Sequence, residues 1–140
     1  MASTHDRLNR DELHYAALGN NTGEVERLLA AGVDPNVRDA LDGTPLHAAA
    51  QQNSYESARL LLAAGADPNV KNNYGNTPLW VAIMNAPKRT DRYFPLMRLL
   101  LDSGAVLDEP NNYGNSILSL LDMVGHEDPE LVKLITGEGY

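Results

Sequence analysis

The sequence repeats itself every 33 residues. Thr44-Pro45-Leu46 returns 33 residues later as Thr77-Pro78-Leu79, and the string Asp-Pro-Asn-Val occurs at 34–37 and again at 67–70. Several different short motifs that recur at the same 33-residue spacing indicate a tandem repeat. Because a single short unit cannot bury its own apolar face, the units are expected to stack on one another.

Each unit has the pattern of two helices joined by a tight turn. Thr44 is expected to cap the first helix, and Pro45 suits its first position. A second run, for example at 58–62, has the apolar spacing of an amphipathic helix. A glycine near the end of each unit predicts a left-handed helix cap, and the Asp-, Pro-, Asn- and Gly-rich stretch that follows predicts a projecting turn. These glycines are Gly32, Gly65 and Gly104.

The pattern therefore predicts an all-α solenoid of about four helix-turn-helix units in a single domain, residues 1–140. The first unit lacks the Thr-Pro start, and the fourth has Ser116 in place of the threonine. The third carries an insertion between its helices, because Thr44 and Gly65 are 21 positions apart whereas Thr77 and Gly104 are 27 apart. The predicted units span about 9–38, 39–71, 72–110 and 111–140.

Charge narrows the class of partner. The chain has 19 Asp and Glu against 11 Lys and Arg, a formal net charge of −8. Such a surface repels phosphate backbones and anionic lipid, so we expect no nucleic-acid or membrane partner and favour a basic protein; the alternative is that the charge serves solubility alone. The chain has no cysteine and no apolar run long enough to span a bilayer, so we expect a soluble, cytoplasmic protein.

No catalytic motif emerges. His14 and His47 occupy the same repeat position, so we expect them to brace adjacent turns rather than to act as a base or a metal pair. His126 is surrounded in the sequence by acidic residues, and we interpret it as part of a solvated loop rather than as a metal ligand. Phosphate-binding loops, dinucleotide fingerprints and nucleophile elbows do not occur. The sequence therefore predicts no catalytic residue, no cofactor, no metal and no enzymatic activity.

Two segments resemble the halves of the ankyrin-repeat signature: residues 43–50, with the sequence Gly-Thr-Pro-Leu-His-Ala-Ala-Ala, and residues 60–69, with the sequence Leu-Leu-Leu-Ala-Ala-Gly-Ala-Asp-Pro-Asn. The resemblance extends over residues 9–140. It implies a cupped array whose projecting turns and first helices line a concave, protein-binding face. A short acidic chain that begins at Met1 also resembles stand-alone bacterial members that block a basic toxin sterically. The alternative is a regulatory or scaffold adaptor, and in either role the free chain is expected to be monomeric.

The resemblance places candidate partner contacts on the turn tips and the first helices. The insertion adds candidates because it breaks the repeat and carries charged and aromatic residues, and the acidic C-terminal third adds candidates because its charge could steer a basic partner. For the two tip tyrosines, the alternative is packing on the neighbouring turn; for Trp80 it is bracing, and for Met123 it is core packing. The turn candidates are Leu41, Tyr74, Asn76, Tyr113 and Asn115, and those of the first helices are Gln51, Gln52, Trp80, Met84, Asn85 and Met123. The insertion offers Lys88, Arg89, Arg92 and Tyr93, and the acidic third offers Asp108, Glu109 and Asp122.

Overall fold

A computed structural model describes residues 11–87, 91–124 and 128–137. Within those ranges the chain forms eight α-helices and no strand, which confirms the predicted all-α repeat solenoid. We call the consecutive helix pairs units one to four. The helices are α1 Glu12–Leu18, α2 Thr22–Ala30, α3 Pro45–Gln51, α4 Tyr55–Ala63, α5 Pro78–Asn85, α6 Phe94–Asp102, α7 Ile117–Val124 and α8 Pro129–Thr136.

The first helix of each unit begins at a side-chain cap. The hydroxyl oxygens of Thr44 and Thr77 each accept a hydrogen bond from the backbone N–H three residues later, with a proline at the first helical position. Unit one has no threonine here, and Asp11 accepts from the N–H of Leu13 at 2.9 Å instead. In unit four Ser116 accepts from the N–H of Ser119 at 3.1 Å. The first helix of every unit therefore has a side-chain cap. Units two and three use threonine, whereas unit one uses Asp11 and unit four uses Ser116.

Small residues control how closely the first helices approach. Ala16, Ala49 and Ala82 are equivalent positions and are buried, and α1 packs on α3 and α3 on α5. In α7 the equivalent residue is Leu121, which is also buried. The residue at this position is therefore small in units one to three and large in unit four.

The insertion in unit three lies between Asn85, the last residue of α5, and Phe94, the first residue of α6. Its second half folds back onto unit two: the Tyr93 hydroxyl donates to the carbonyl oxygen of Gln51 at 3.1 Å, and the Asn53 side chain donates to the carbonyl oxygen of Arg92 at 3.0 Å. The Tyr93 ring is 7% exposed. The prediction of Tyr93 as a partner contact is therefore wrong, because its ring is buried and its hydroxyl satisfies a carbonyl at the end of α3.

Gly75 and Gly114 occupy the same turn position in units three and four and allow a matched test of stacking. Both have positive φ, +79° and +82°, so alanine at either site strains the backbone by about 1 kcal/mol. A Cβ on Gly75 would also lie 2.7 Å from the backbone nitrogen of Asn112, whereas one on Gly114 meets nothing within 4 Å. We expect Gly75→Ala to lower the free energy of unfolding by at least about 1 kcal/mol more than Gly114→Ala in urea titrations. Equal losses would show that the two turns are not in contact there.

Candidate partner-binding surface

Three projecting turns share the same hydrogen bonds. In the second turn, the N–H of Asn72 donates to the carbonyl oxygen of Asn76, and the Asn72 side-chain oxygen accepts from the N–H groups of Tyr74 and Asn76, both at 3.0 Å. An Asp or Asn side chain thus fixes the turn from inside, which leaves the tip side chain free to point outward. Asp39 and Asn111 do the same in the first and third turns. The tip row is Leu41, Tyr74 and Tyr113.

Consecutive turns are tied by backbone hydrogen bonds. The N–H of Asn73 donates to the carbonyl oxygen of Leu41 at 2.9 Å, and the N–H of Asn112 donates to that of Tyr74 at 3.0 Å. The Asn111 side chain also donates to the side-chain oxygen of Asn76 at 2.9 Å. These bonds hold the tip row in a fixed register.

The paired histidines brace the turns, as the sequence predicted. Nε2 of His14 donates to the carbonyl oxygen of Gly43, and Nε2 of His47 to that of Asn76, each at 2.9 Å. Nδ1 of His47 accepts from the N–H of Thr44 at 3.1 Å, so these partners select the neutral ring. Burial lowers the pKa of His47 to about 4, against the opposing effect of its hydrogen bond to Asn76.

Trp80 takes the histidine position in unit three. Its ring is half-buried and lies in the cleft lined by Asn76, Val106 and Ile117, between the second and third turns. This placement favours the bracing interpretation of Trp80 over that of an exposed anchor.

A second row runs along the first helices at equivalent positions. Leu18 and Gln51 line a groove with Leu41 at the turn side, and Met84 and Met123 continue the same register in units three and four. Met84 is 59% exposed and Met123 71% exposed, while the tips Tyr74 and Tyr113 are 44% and 71% exposed. We call this helix row and the tip row together the groove face. The row consists of Leu18, Gln51, Met84 and Met123.

The two sides of the array differ in chemistry. In the residues that the structure describes, every exposed large apolar side chain lies on a first helix or a turn tip. The second helices carry charges paired along the helix, as in Glu56–Arg59 and Arg98–Asp102. The groove face is therefore apolar and the opposite side is charged. The exposed apolar residues are Tyr15, Tyr74, Met84, Tyr113, Leu118 and Met123.

The other sequence candidates are spread over several surfaces. Gln52, Asn85, Arg92, Asp108 and Glu109 are exposed. Asn76 and Asn115 are half-buried, and both take part in the hydrogen bonds that fix their own turns. Lys88 and Arg89 lie outside the described residues.

Asp122 faces the end of the array rather than the groove. Its equivalents in units two and three, Ala50 and Ile83, are buried. Leu118, one turn before Asp122, is likewise exposed where its equivalents are covered. The difference arises because units two and three are each followed by a unit that packs on them, and no described helix packs on this side of α7.

Sequence reasoning missed one residue of the groove face, Leu18, and one exposed aromatic residue outside its two rows, Tyr15. Tyr15 is exposed on α1, and Leu18 lines the groove. The signal for Leu18 was available, since it precedes Gln51 by one repeat period of 33 residues.

A family model described as ankyrin repeats (3 copies) matches residues 13–111. The chain belongs to the ankyrin-repeat family. Ankyrin repeats are protein-binding modules, so the chain is a protein–protein interaction module with protein partners. The match ends at the third projecting turn, so most of unit four lies beyond it.

No curated protein sequence matches the chain. Among the described helices, none is long and apolar enough to cross a membrane.

The buried His47 predicts a pH dependence of stability. Its pKa is about 4 in the folded chain and 6.5 when unfolded, so below pH 6.5 the unfolded chain takes up a proton that the folded chain does not. Stability should fall by about 1.4 kcal/mol per pH unit between pH 6.5 and 4, about 3 kcal/mol in total, and this contribution should be constant below pH 4. His47→Gln removes the titrating ring, so its unfolding free energy should have a shallower pH dependence in that window. Identical slopes would contradict a buried neutral His47.

Proposed function

We propose that this ankyrin-repeat chain binds its protein partner through the groove face and acts without catalysis. The observation that carries the proposal is that four of the six exposed large apolar side chains in the described residues lie on that face, namely Tyr74, Met84, Tyr113 and Met123. Contiguous exposed apolar surface is uncommon on soluble domains and is typical of interaction sites. The opposite side offers paired charges, which contribute little to affinity when exposed.

The tip tyrosines are suited to act as anchors. A tyrosine buries a large ring on binding and keeps a hydroxyl for a hydrogen bond, and it loses little side-chain entropy. The backbone of Tyr74 is already fixed by hydrogen bonds to Asn72 and Asn112. A ring on a fixed backbone is preorganised, which reduces the entropic cost of association.

The non-catalytic part of the proposal is supported by the histidines. His14 and His47 each have Nε2 bonded to a turn carbonyl and Nδ1 accepting from a backbone N–H. Both ring nitrogens are thus engaged within the fold, and neither histidine is placed to act as a general base. Within the described ranges no group of three or more His, Asp or Glu side chains could hold a metal ion.

A monomeric free state is part of the same proposal. Asp122 stands on the end of the array where units two and three have Ala50 and Ile83. Stacking a second copy on this end would bury the Asp122 carboxylate, which is costly.

The first test removes the tip rings. Tyr74→Ala with Tyr113→Ala should weaken partner binding by at least about 2 kcal/mol, about 30-fold, and leave the helical circular dichroism unchanged. The partner is first captured from the native host with a photo-crosslinker at Met84, then purified and titrated calorimetrically. The control, Glu56→Ala with Arg59→Ala, changes an exposed pair on α4 and should bind as the unmodified chain does. If the control loses affinity and the tyrosine variant does not, the partner binds the second helices.

The narrower form of the proposal is an immunity protein that covers the active site of a basic toxin. It is supported by the exposed carboxylates of Asp108 and Glu109 at the base of the third turn. A regulatory or scaffold adaptor role is the outcome if no toxin is inhibited. The toxin to assay is the product of any toxin gene adjacent to this one.

Charge reversal tests this narrower form. Asp108→Lys with Glu109→Lys should slow association with the toxin several-fold at low salt, and the difference should shrink as ionic strength rises because salt screens steering. Glu26→Lys with Glu56→Lys makes the same change in net charge on the second helices and serves as the control. Stopped-flow association and residual toxin activity are the measurements. Equal slowing in both variants would mean that only net charge matters.

A further inference from the structure

The groove face contains a cavity of about 130 Å³ beside the first projecting turn. Its lining residues come from α1, α3 and α5 and from the first two turns. Leu18, Leu41 and Val81 give it aliphatic walls. Pockets that enclose small-molecule ligands usually measure about 300–1,000 Å³. This cavity is smaller, and its size suits one side chain of a larger partner.

The cavity has one formally charged lining residue. In the described part of the chain, Asp39 is the one Asp, Glu, Lys or Arg that lines it. The neighbouring Arg38 does not line the cavity, and its guanidinium donates to the carbonyl oxygen of Lys71 at 3.3 Å. His14 and His47 also line it, but both of their ring nitrogens are engaged within the fold. The Asp39 carboxylate therefore gives the cavity a negative charge.

The first turn does not require this charge. One side-chain oxygen of Asp39 accepts from the N–H groups of Leu41 and Gly43, both at 2.9 Å. Asn72 and Asn111 make the same two hydrogen bonds in the second and third turns, each at 3.0 Å. A neutral asparagine thus fixes the other two turns. The negative charge of Asp39 is additional to what the turn needs, which favours a role in recognition.

A basic side chain matches both the walls and the charge of the cavity. Lys and Arg lay their aliphatic stems along apolar surface and keep the cationic end with water or a carboxylate. An acidic side chain would be repelled by Asp39. An aliphatic one would remove water from this half-buried carboxylate without supplying a cation, which is costly. Of these three kinds of side chain, the basic one is complementary.

We propose that the cavity receives a Lys or Arg side chain of the protein partner, with its stem against Leu18, Leu41 and Val81 and its cation beside Asp39. This inference rests on the proposed function and adds a contact that determines specificity. The contact is separate from the tip tyrosines, because Tyr74 and Tyr113 do not line the cavity.

The first test uses the full chain and three small probes of similar length: n-butylammonium, 1-butanol and butyrate. They carry a positive charge, no charge and a negative charge, and the ionic strength is matched. In two-dimensional NMR titrations, butylammonium should shift the amide signals of Leu41, Gly43 and Val81 at least about threefold more than either other probe, because only the cation complements the carboxylate. Equal shifts with all three probes, or none with butylammonium, overturn the proposal.

A matched pair of variants then separates the cavity from net charge. Asp39→Asn gives the first turn the residue of the other two, so it should keep the helical circular dichroism and weaken butylammonium binding at least about fivefold. The control is Asp34→Asn, which makes the same change in net charge. Asp34 likewise accepts from a backbone N–H two residues later, at 2.9 Å, but it does not line the cavity. Equal losses in both variants would show that net charge alone attracts the probe, and the proposal would fail.

The captured partner connects the cavity to the proposed function. Asp39→Asn should weaken partner binding at least about tenfold, whereas Asp34→Asn should leave it unchanged. If the partner requires Tyr74 and Tyr113 but binds Asp39→Asn normally, this inference is wrong and the proposed function stands. A partner that requires neither the tyrosines nor Asp39 contradicts both.

Discussion

Side chains of one unit hydrogen-bond to the main chain of the next, and the register of the array depends on these bonds. The Asn69 side chain donates to the carbonyl oxygen of Gly104 at 2.9 Å and accepts from the N–H of Val106 at 2.9 Å. Asn36 makes the equivalent pair one unit earlier. Helix ends leave carbonyl groups without intrahelical partners, and these asparagines satisfy them from the neighbouring unit. Each of these hydrogen bonds therefore satisfies a carbonyl group at the end of a helix and also fixes the position of one unit relative to the next.

Where units three and four meet, the residue types that make the repeated contacts change. Asp108 stands at the position of Asn69 and has no amide to donate, Trp80 replaces the bracing histidine, and Leu121 replaces the alanine that lets helices approach. The turn hydrogen bonds and the packing of α6 on α8 remain. The junction at which these residue types change thus adjoins the units with the largest exposed apolar side chains on the groove face.

The sequence correctly predicted those features that depend on short-range contacts repeated from unit to unit. The caps at Thr44 and Thr77 and the histidine braces follow from residue type and spacing, and both were predicted correctly. The position of Tyr93 could not be predicted, because the insertion breaks the period and its contact with Gln51 has no counterpart in another unit. The orientation of Asp122 was missed for another reason. Whether that position is buried depends on what packs against it from outside, which the local pattern does not report.

The turn hydrogen bonds also explain how turns with the same backbone structure can carry different side chains at their tips. The N–H of Leu41 donates to a side-chain oxygen of Asp39, and its carbonyl oxygen accepts from Asn73. Tyr74 makes the equivalent two bonds, with Asn72 and Asn112. An aliphatic residue and an aromatic one thus serve the same structural role, because only their backbones are used. Their side chains take no part in these hydrogen bonds. The residue type at each tip can therefore differ between turns and can determine which partner binds. The buried equivalents Leu46 and Leu79 have no such freedom, since packing between units fixes their size.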